Sequence, residues 1–123
     1  MACPPGGEDA ARRFYADGLG LVEVDKPAAL VARGGCWFRS YDDRGGVEVE
    51  LHVGVEDPFS PARKAHPAFV VDDLDEVAGR LRALGFEVDE RERDTFPGHL
   101  RLHTFDAHGN LVEVLQAATG LDI

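Results

Sequence analysis

The stretch "KAHPAFVVDDLDEVAGRLRALGFEV", Lys64–Val88, changes its hydrophobic period twice, and those changes decide the fold. Ala65–Val71 is a short, β-branched apolar run of strand type. From about Asp73 the period lengthens to that of a helix, with Leu74, Val77, Leu81 and Leu84 on one stripe and Gly85 as the stop, so a helix is expected over Asp73–Leu84. Phe86–Glu92 returns to strand character, and His99–Phe105 and Leu111–Leu115 add two more strands joined by the turn "DAHGN", Asp106–Asn110. The order is strand, helix, then three strands.

The upstream half repeats this plan. Glu8–Leu19 places Ala11, Phe14, Tyr15 and Leu19 at helical spacing, with acids in the first turn and Gly20 just past the end. Three strands are expected after it: Leu21–Val24, then Ala29–Phe38 interrupted by Gly34-Gly35, then Val47–Val55. The last alternates Val47, Val49, Leu51, Val53 and Val55 against Glu48, Glu50, His52 and Gly54. "LGLVEVD" (Leu19–Asp25) echoes "LGFEVDE" (Leu84–Glu90), and the proline-bearing segment Glu56–Lys64 reads as a linker. The expectation is an α+β fold: one domain over 1–123, built of two tandem βαβββ modules (about 1–57 and 64–117) that form a cleft-shaped half-barrel. Only "MACPP" precedes the first helix, so the first strand of module 1 is truncated.

Composition narrows the function classes. The 123 residues are 44% hydrophobic, enough for a buried core, and carry a formal charge of −10, which excludes a nucleic-acid-binding face. No apolar run approaches the roughly 20 residues of a membrane span. The N-terminal stretch lacks the basic and apolar regions of a signal peptide. Cys3 and Cys36 form no CxxC pair, so a reduced, cytoplasmic setting is expected. Arginine far outnumbers lysine, a bias of GC-rich bacterial genomes.

Polar residues on matching strands carry the functional signal. A histidine at a strand start is more often a hydrogen-bonded surface group; the repeat is what singles out His66. Glu113, between Val112 and Val114, is an inward carboxylate or a free outward one. Shifting by the 65 residues that separate Gly20 from Gly85 carries Glu113 to Glu48, and a small indel carries it to Glu50 or His52. The same shift carries His66 to position 1. Histidine and carboxylate on rigid strands suit a divalent ion with open positions, where a substrate binds through adjacent oxygens. His103 shares a strand face with His99 and Arg101 and is a candidate general base. Arg33, Trp37 and Arg39 are candidate substrate contacts, an aromatic wall and anion clamps. Gly34-Gly35 lacks the helix and lysine of a phosphate loop. Cys36 reads as a small buried residue.

"EDAARRFYADGLGL", "VEVELHVGVE", the Lys64–Val88 stretch and "DAHGNLVEVLQ" together resemble the vicinal oxygen chelate superfamily, which includes glyoxalase I, fosfomycin-resistance thiol transferases, bleomycin-resistance proteins and extradiol dioxygenases. The likeness spans nearly the whole chain. "DAHGNLVE" matches the family's turn-and-strand ending, with Ala107 where proline is usual. The resemblance implies His66 and Glu113 as metal ligands, His52 or Glu50 as the ligand of the first module, and Zn, Ni, Mn or Fe as the ion. It also implies a small-molecule substrate and a homodimer. The fourth ligand would come from the shortened first strand. The incomplete set leaves open a metal-free binding protein of the bleomycin-resistance kind, its cleft lined by Trp37, Phe38 and Phe69.

Overall fold

The structure, a computed structural model, describes residues 1–118. The chain divides into two compact units, with the boundary between Pro61 and Ala62 in the proline-bearing linker. Each unit is a βαβββ module.

In the first unit, β1 (Ala2–Cys3), β2 (Val22–Val24), β3 (Cys36–Tyr41) and β4 (Val47–Val55) form a mixed sheet of order β1-β4-β3-β2. β1 is parallel to β4 and is only two residues long, pairing Ala2 with Gly54 and Cys3 with Val55. The other pairs are antiparallel. Cys3, Cys36, Phe38 and Val53 alternate onto one face and are buried with Phe14 and Tyr15. The Tyr15 and Phe38 rings lie 5.8 Å apart.

The single helix expected over Glu8–Leu19 is divided. α1 (Glu8–Arg12) is α-helical, and Arg13–Gly18 widens into a π-helix in which Leu19 N–H donates to the Phe14 carbonyl at 3.0 Å. Residues adjacent in sequence diverge by about 100° around an α-helix, and a wider turn reduces that angle. Phe14 and Tyr15 are consecutive, and both are fully buried here.

A larger departure concerns Ala29–Phe38, expected as an interrupted strand. Ala28–Arg33 is a 3₁₀ helix, and the strand begins only at Cys36. Pro27 accepts from Leu30 N–H at 2.8 Å and so starts the turn. Gly34 and Gly35, at φ +73° and +84°, end it. A short apolar run carries no period that separates a 3₁₀ turn from a strand.

The second unit pairs β5 (Ala68–Val70), β6 (Val88–Asp89), β7 (His99–Phe105) and β8 (Leu111–Ala117) in the order β5-β8-β7-β6, again with the first strand parallel to the last. α2 (Leu74–Ala83) buries Leu74, Val77, Ala78 and Leu81, the expected stripe less its last member. Asp73 caps it by accepting from Glu76 N–H at 3.1 Å. Two strands are shorter than expected. β5 loses its N-terminal half because Pro67 has no N–H, and β6 stops at Asp89, where the chain turns through 91–94. The "DAHGN" turn is held by Asp106, which accepts from His108 N–H and Asn110 N–H at 2.9 and 3.0 Å.

Two glycines test these packing statements in opposite directions. A Cβ on Gly35 would sit 2.2 Å from the Val53 carbonyl oxygen, on a residue already at positive φ. Gly35→Ala is expected to cost roughly 2 kcal/mol or more. Gly79 is an exposed position inside α2 with nothing within 4 Å of its added Cβ. Gly79→Ala is expected to stabilise by about 0.5–1 kcal/mol. Urea unfolding midpoints that move in the same direction would contradict one of the two assignments.

Candidate metal centre

Three potential ligands meet on the second sheet, on the face opposite the one that carries buried Val112 and Val114. Glu113 lies on β8 with Ala68 beside it on β5 and His103 beside it on β7. His66 precedes β5 in a segment pinned at both ends. Ala62 N–H donates to Asn110 Oδ1 at 2.9 Å, Leu111 N–H to the Ala62 carbonyl at 2.8 Å, and Glu113 N–H to the Pro67 carbonyl at 3.0 Å. The small side chain of Ala68 leaves His66 room to reach the carboxylate. His66 Nε2 is 2.9 Å from Glu113 Oε1, and His103 Nε2 is 3.6 Å from the same oxygen. Donor atoms of His66, His103 and Glu113 all lie within 4.8 Å of one another. Ligands of one first-row ion, each bonded at about 2.1 Å, stand roughly 3–4 Å apart. Small side-chain shifts therefore bring this set to ligating geometry.

The tautomer of His66 is set by its surroundings. Nδ1 is 2.8 Å from the Lys64 carbonyl, which can only accept, so Nδ1 carries a proton. Nε2 is thereby the ligating atom once its own proton leaves, the arrangement by which outer hydrogen bonds orient a metal-binding imidazole.

Glu113 is 6% exposed. Burial alone would push its carboxyl up, but hydrogen bonds from His66 and from Arg101 hold it below the usual range. Arg101 Nη1 is 3.4 Å from Oε2, so the two carboxylate oxygens face different partners, histidine and arginine. Arg101 is itself fixed by Thr95 Oγ1 at 2.7 Å and Glu92 Oε2 at 3.0 Å. His66 is raised, first by the Lys64 carbonyl and then by Glu113. A cavity of about 640 Å³ beside this cluster is lined by Asp89, Arg91, Thr95, His103, Phe105 and Leu111.

The structure brings His66, His103 and Glu113 together. Glu50, His52, Trp37 and Arg39 lie on the first unit's sheet. There Arg39 Nε donates to Glu50 at 2.7 Å, His52 Nε2 lies 2.9 Å from Glu50, and Trp37 stacks on His52. Two registers bear on which first-unit residue matches Glu113. Arg39 pairs with Glu50 two residues before the end of β3, as His103 pairs with Glu113 two residues before the end of β7, which points to Glu50. Ala2 pairs with Gly54 as Ala68 pairs with Glu113, which points to Gly54. Arg33 ends the 3₁₀ helix and shares a pocket with Trp37 and His52. Cys36 is buried and its thiol is pushed up to about 11 by that burial, which makes it inert. Sequence reasoning assigned no role to Arg101 and made His103 a base. The HxRxH alternation over His99–His103 and the tight turn that sets His103 opposite Glu113 were the available signals.

The family model of the Glyoxalase/Bleomycin resistance protein/Dioxygenase superfamily matches residues 7–114, and the chain belongs to that superfamily. Among solved structures, it is similar to a protein assigned to the glyoxalase family from Bacillus anthracis (38% identity, TM-score 0.81, covering 95% of this chain and 89% of that one). It is also similar to a lactoylglutathione lyase from Agrobacterium tumefaciens (26% identity, TM-score 0.63, 94% and 90%). The fold alone is shared with FosX, a fosfomycin resistance protein from Listeria monocytogenes (14% identity, TM-score 0.70, 100% and 93%). No curated protein sequence matches.

The two shifts define a pH window. The stabilisation from His66 is fully present below the ordinary imidazole value of 6.5 and is lost as pH rises through its raised folded value. That from Glu113 is present above the ordinary carboxyl value of 4.5 and is lost as pH falls through its lowered folded value. In chelator-treated protein, the stability gap between wild type and His66→Ala should therefore peak between about pH 4.5 and 6.5 and shrink on either side. A gap that is flat with pH would show that the pair is not ionised.

Proposed function

We propose that this protein is a metal-dependent enzyme of the glyoxalase kind acting on a small substrate that chelates through adjacent oxygens. His66 and Glu113 hold the ion, which is Zn, Ni, Mn or Fe, and His103 is either its third donor or the base. The observation that carries this reading is the three-donor cluster, with the His66 tautomer fixed for ligation. A bound divalent ion would supply Lewis-acid polarisation of a substrate oxygen. The protein's own residues prepare the place. The Lys64 carbonyl orients His66, Arg101 keeps Glu113 ionised, and Phe105 and Leu111 give the cavity an apolar wall opposite the polar Thr95 and Asp89. His103 lines that cavity and also reaches Glu113, so it is placed either as third donor or as the base that takes up the substrate proton.

Purified protein is expected to carry about one equivalent of a divalent metal by elemental analysis, and His66→Ala or Glu113→Ala to weaken binding by at least about tenfold. Affinity should rise with pH as His66 Nε2 loses its proton. His103→Ala divides the two roles: loss of metal assigns it as a donor, and retained metal with lost turnover assigns it as the base. A protein that takes up none of the four metals on titration would end the proposal.

A metal-free ligand-sequestering protein is the second reading, favoured by the Trp37–His52 stack on the first unit. Both readings include a cytoplasmic homodimer. The short β1 pairs with only Gly54 and Val55 of β4, and the half-exposed Val47 lies on the uncovered stretch of that edge strand. A monomer by sedimentation would refute the dimer.

A further inference from the structure

The first unit has a pocket of its own, of about 250 Å³, lined by Lys26, Leu30, Arg33, Trp37, His52 and the backbone at Gly34 and Gly54. Its wall is rigid. The Trp37 and His52 rings, cross-strand partners on β3 and β4, stack at 3.6 Å with planes 6° apart. His52 is held by Glu50, and Glu50 by Arg39. The Ala28–Arg33 3₁₀ helix and the turn at Gly34 bring Arg33 to the rim, and Lys26 donates to the Gly34 carbonyl.

The charges at this rim are unusual for this chain, which has ten more acids than bases. Most arginines here are matched to carboxylates: Arg12 to Asp9 and Glu23, Arg39 to Glu50, Arg82 to Glu90, Arg93 to Asp75. Among the described residues neither Lys26 nor Arg33 has a carboxylate within ion-pair distance. The nearby acids are already used: Glu50 twice, and Glu8, beside Gly34, by accepting from Gly35 N–H at 3.0 Å. Two cations without a carboxylate partner, beside an indole and a leucine, make a site selective for an anion with a flat apolar body. We propose that this pocket binds a small aromatic carboxylate of about one ring in size. Its ring lies along Trp37 and Leu30, and its carboxylate takes the two-pronged Arg33 guanidinium with Lys26 as the second cation. The site uses first-unit residues alone, and none of them is among the proposed metal donors.

Trp37 is the sole tryptophan of the chain, so indole fluorescence reports on this pocket. The full-length protein is titrated at constant ionic strength in EDTA with sodium benzoate, with its neutral isostere benzamide, and with inorganic phosphate. EDTA separates this test from the metal reading: benzoate binding lost here leaves the metal assay standing, and the reverse. The expected result is a saturable benzoate response at least tenfold tighter than that of benzamide and of phosphate. Arg33→Ala should weaken benzoate binding by tenfold or more, and Arg63→Ala, a linker cation outside the pocket, should leave it unchanged. Benzoate and benzamide binding alike, phosphate equalling benzoate, or an unaltered benzoate affinity in a folded Arg33→Ala protein would each overturn the assignment. So would the lack of any saturable response.

Discussion

A carboxylate buried on a β-strand is the constraint around which the second unit is arranged. Glu113 stands between Val112 and Val114, both fully buried, and cannot discharge its charge into water. It needs cations or donors, and neighbouring elements supply three: His66 from the segment before β5, and Arg101 and His103 from β7. Among the described residues no buried side-chain nitrogen or oxygen lacks a hydrogen-bond partner. The same demand for partners gathers three side chains that could hold a metal ion. An ion would replace a proton and a hydrogen bond in an arrangement already built.

The turn before β8 holds that arrangement in place. Asn110, 1% exposed, uses its side-chain oxygen on Ala62 N–H and its amide on Asp106 at 2.9 Å. The turn thus ties the linker that carries His66 to the strand that carries Glu113. Gln116 extends the tie at the far end by accepting from Leu74 N–H at 2.7 Å, which anchors the start of α2 to β8. Residues 47 positions apart come within hydrogen-bond range through short polar clamps more than through apolar packing.

Much of this was legible in the sequence because duplication writes the same period twice. The α2 stripe and the β4 alternation follow from periods of 3.6 and 2, and the pairing of His66 with Glu113 follows from the family resemblance that the repeat supports. The unread parts are those where period carries no information. Ala28–Arg33 is too short to declare itself helical, and the π-turn at Arg13–Gly18 depends on burying two successive aromatics. The Glu113 equivalent in the first module was placed by offset, and the strand registers divide between Glu50, counted from the β3–β4 hairpin, and Gly54, counted from β1. Arg101 was visible on the right face, but its role depends on a loop, Glu92–Thr95, whose path no periodicity describes.

Two glycines of the first unit differ in what they could accept. Gly35 admits no side chain, because the Val53 carbonyl occupies the space, whereas Gly54 has open space around it and an ordinary backbone. One position can therefore be given a carboxylate by a single codon change, and the other is sealed by the main chain of the neighbouring strand. A protein engineer who wants a new acid on this sheet has one door open and one shut.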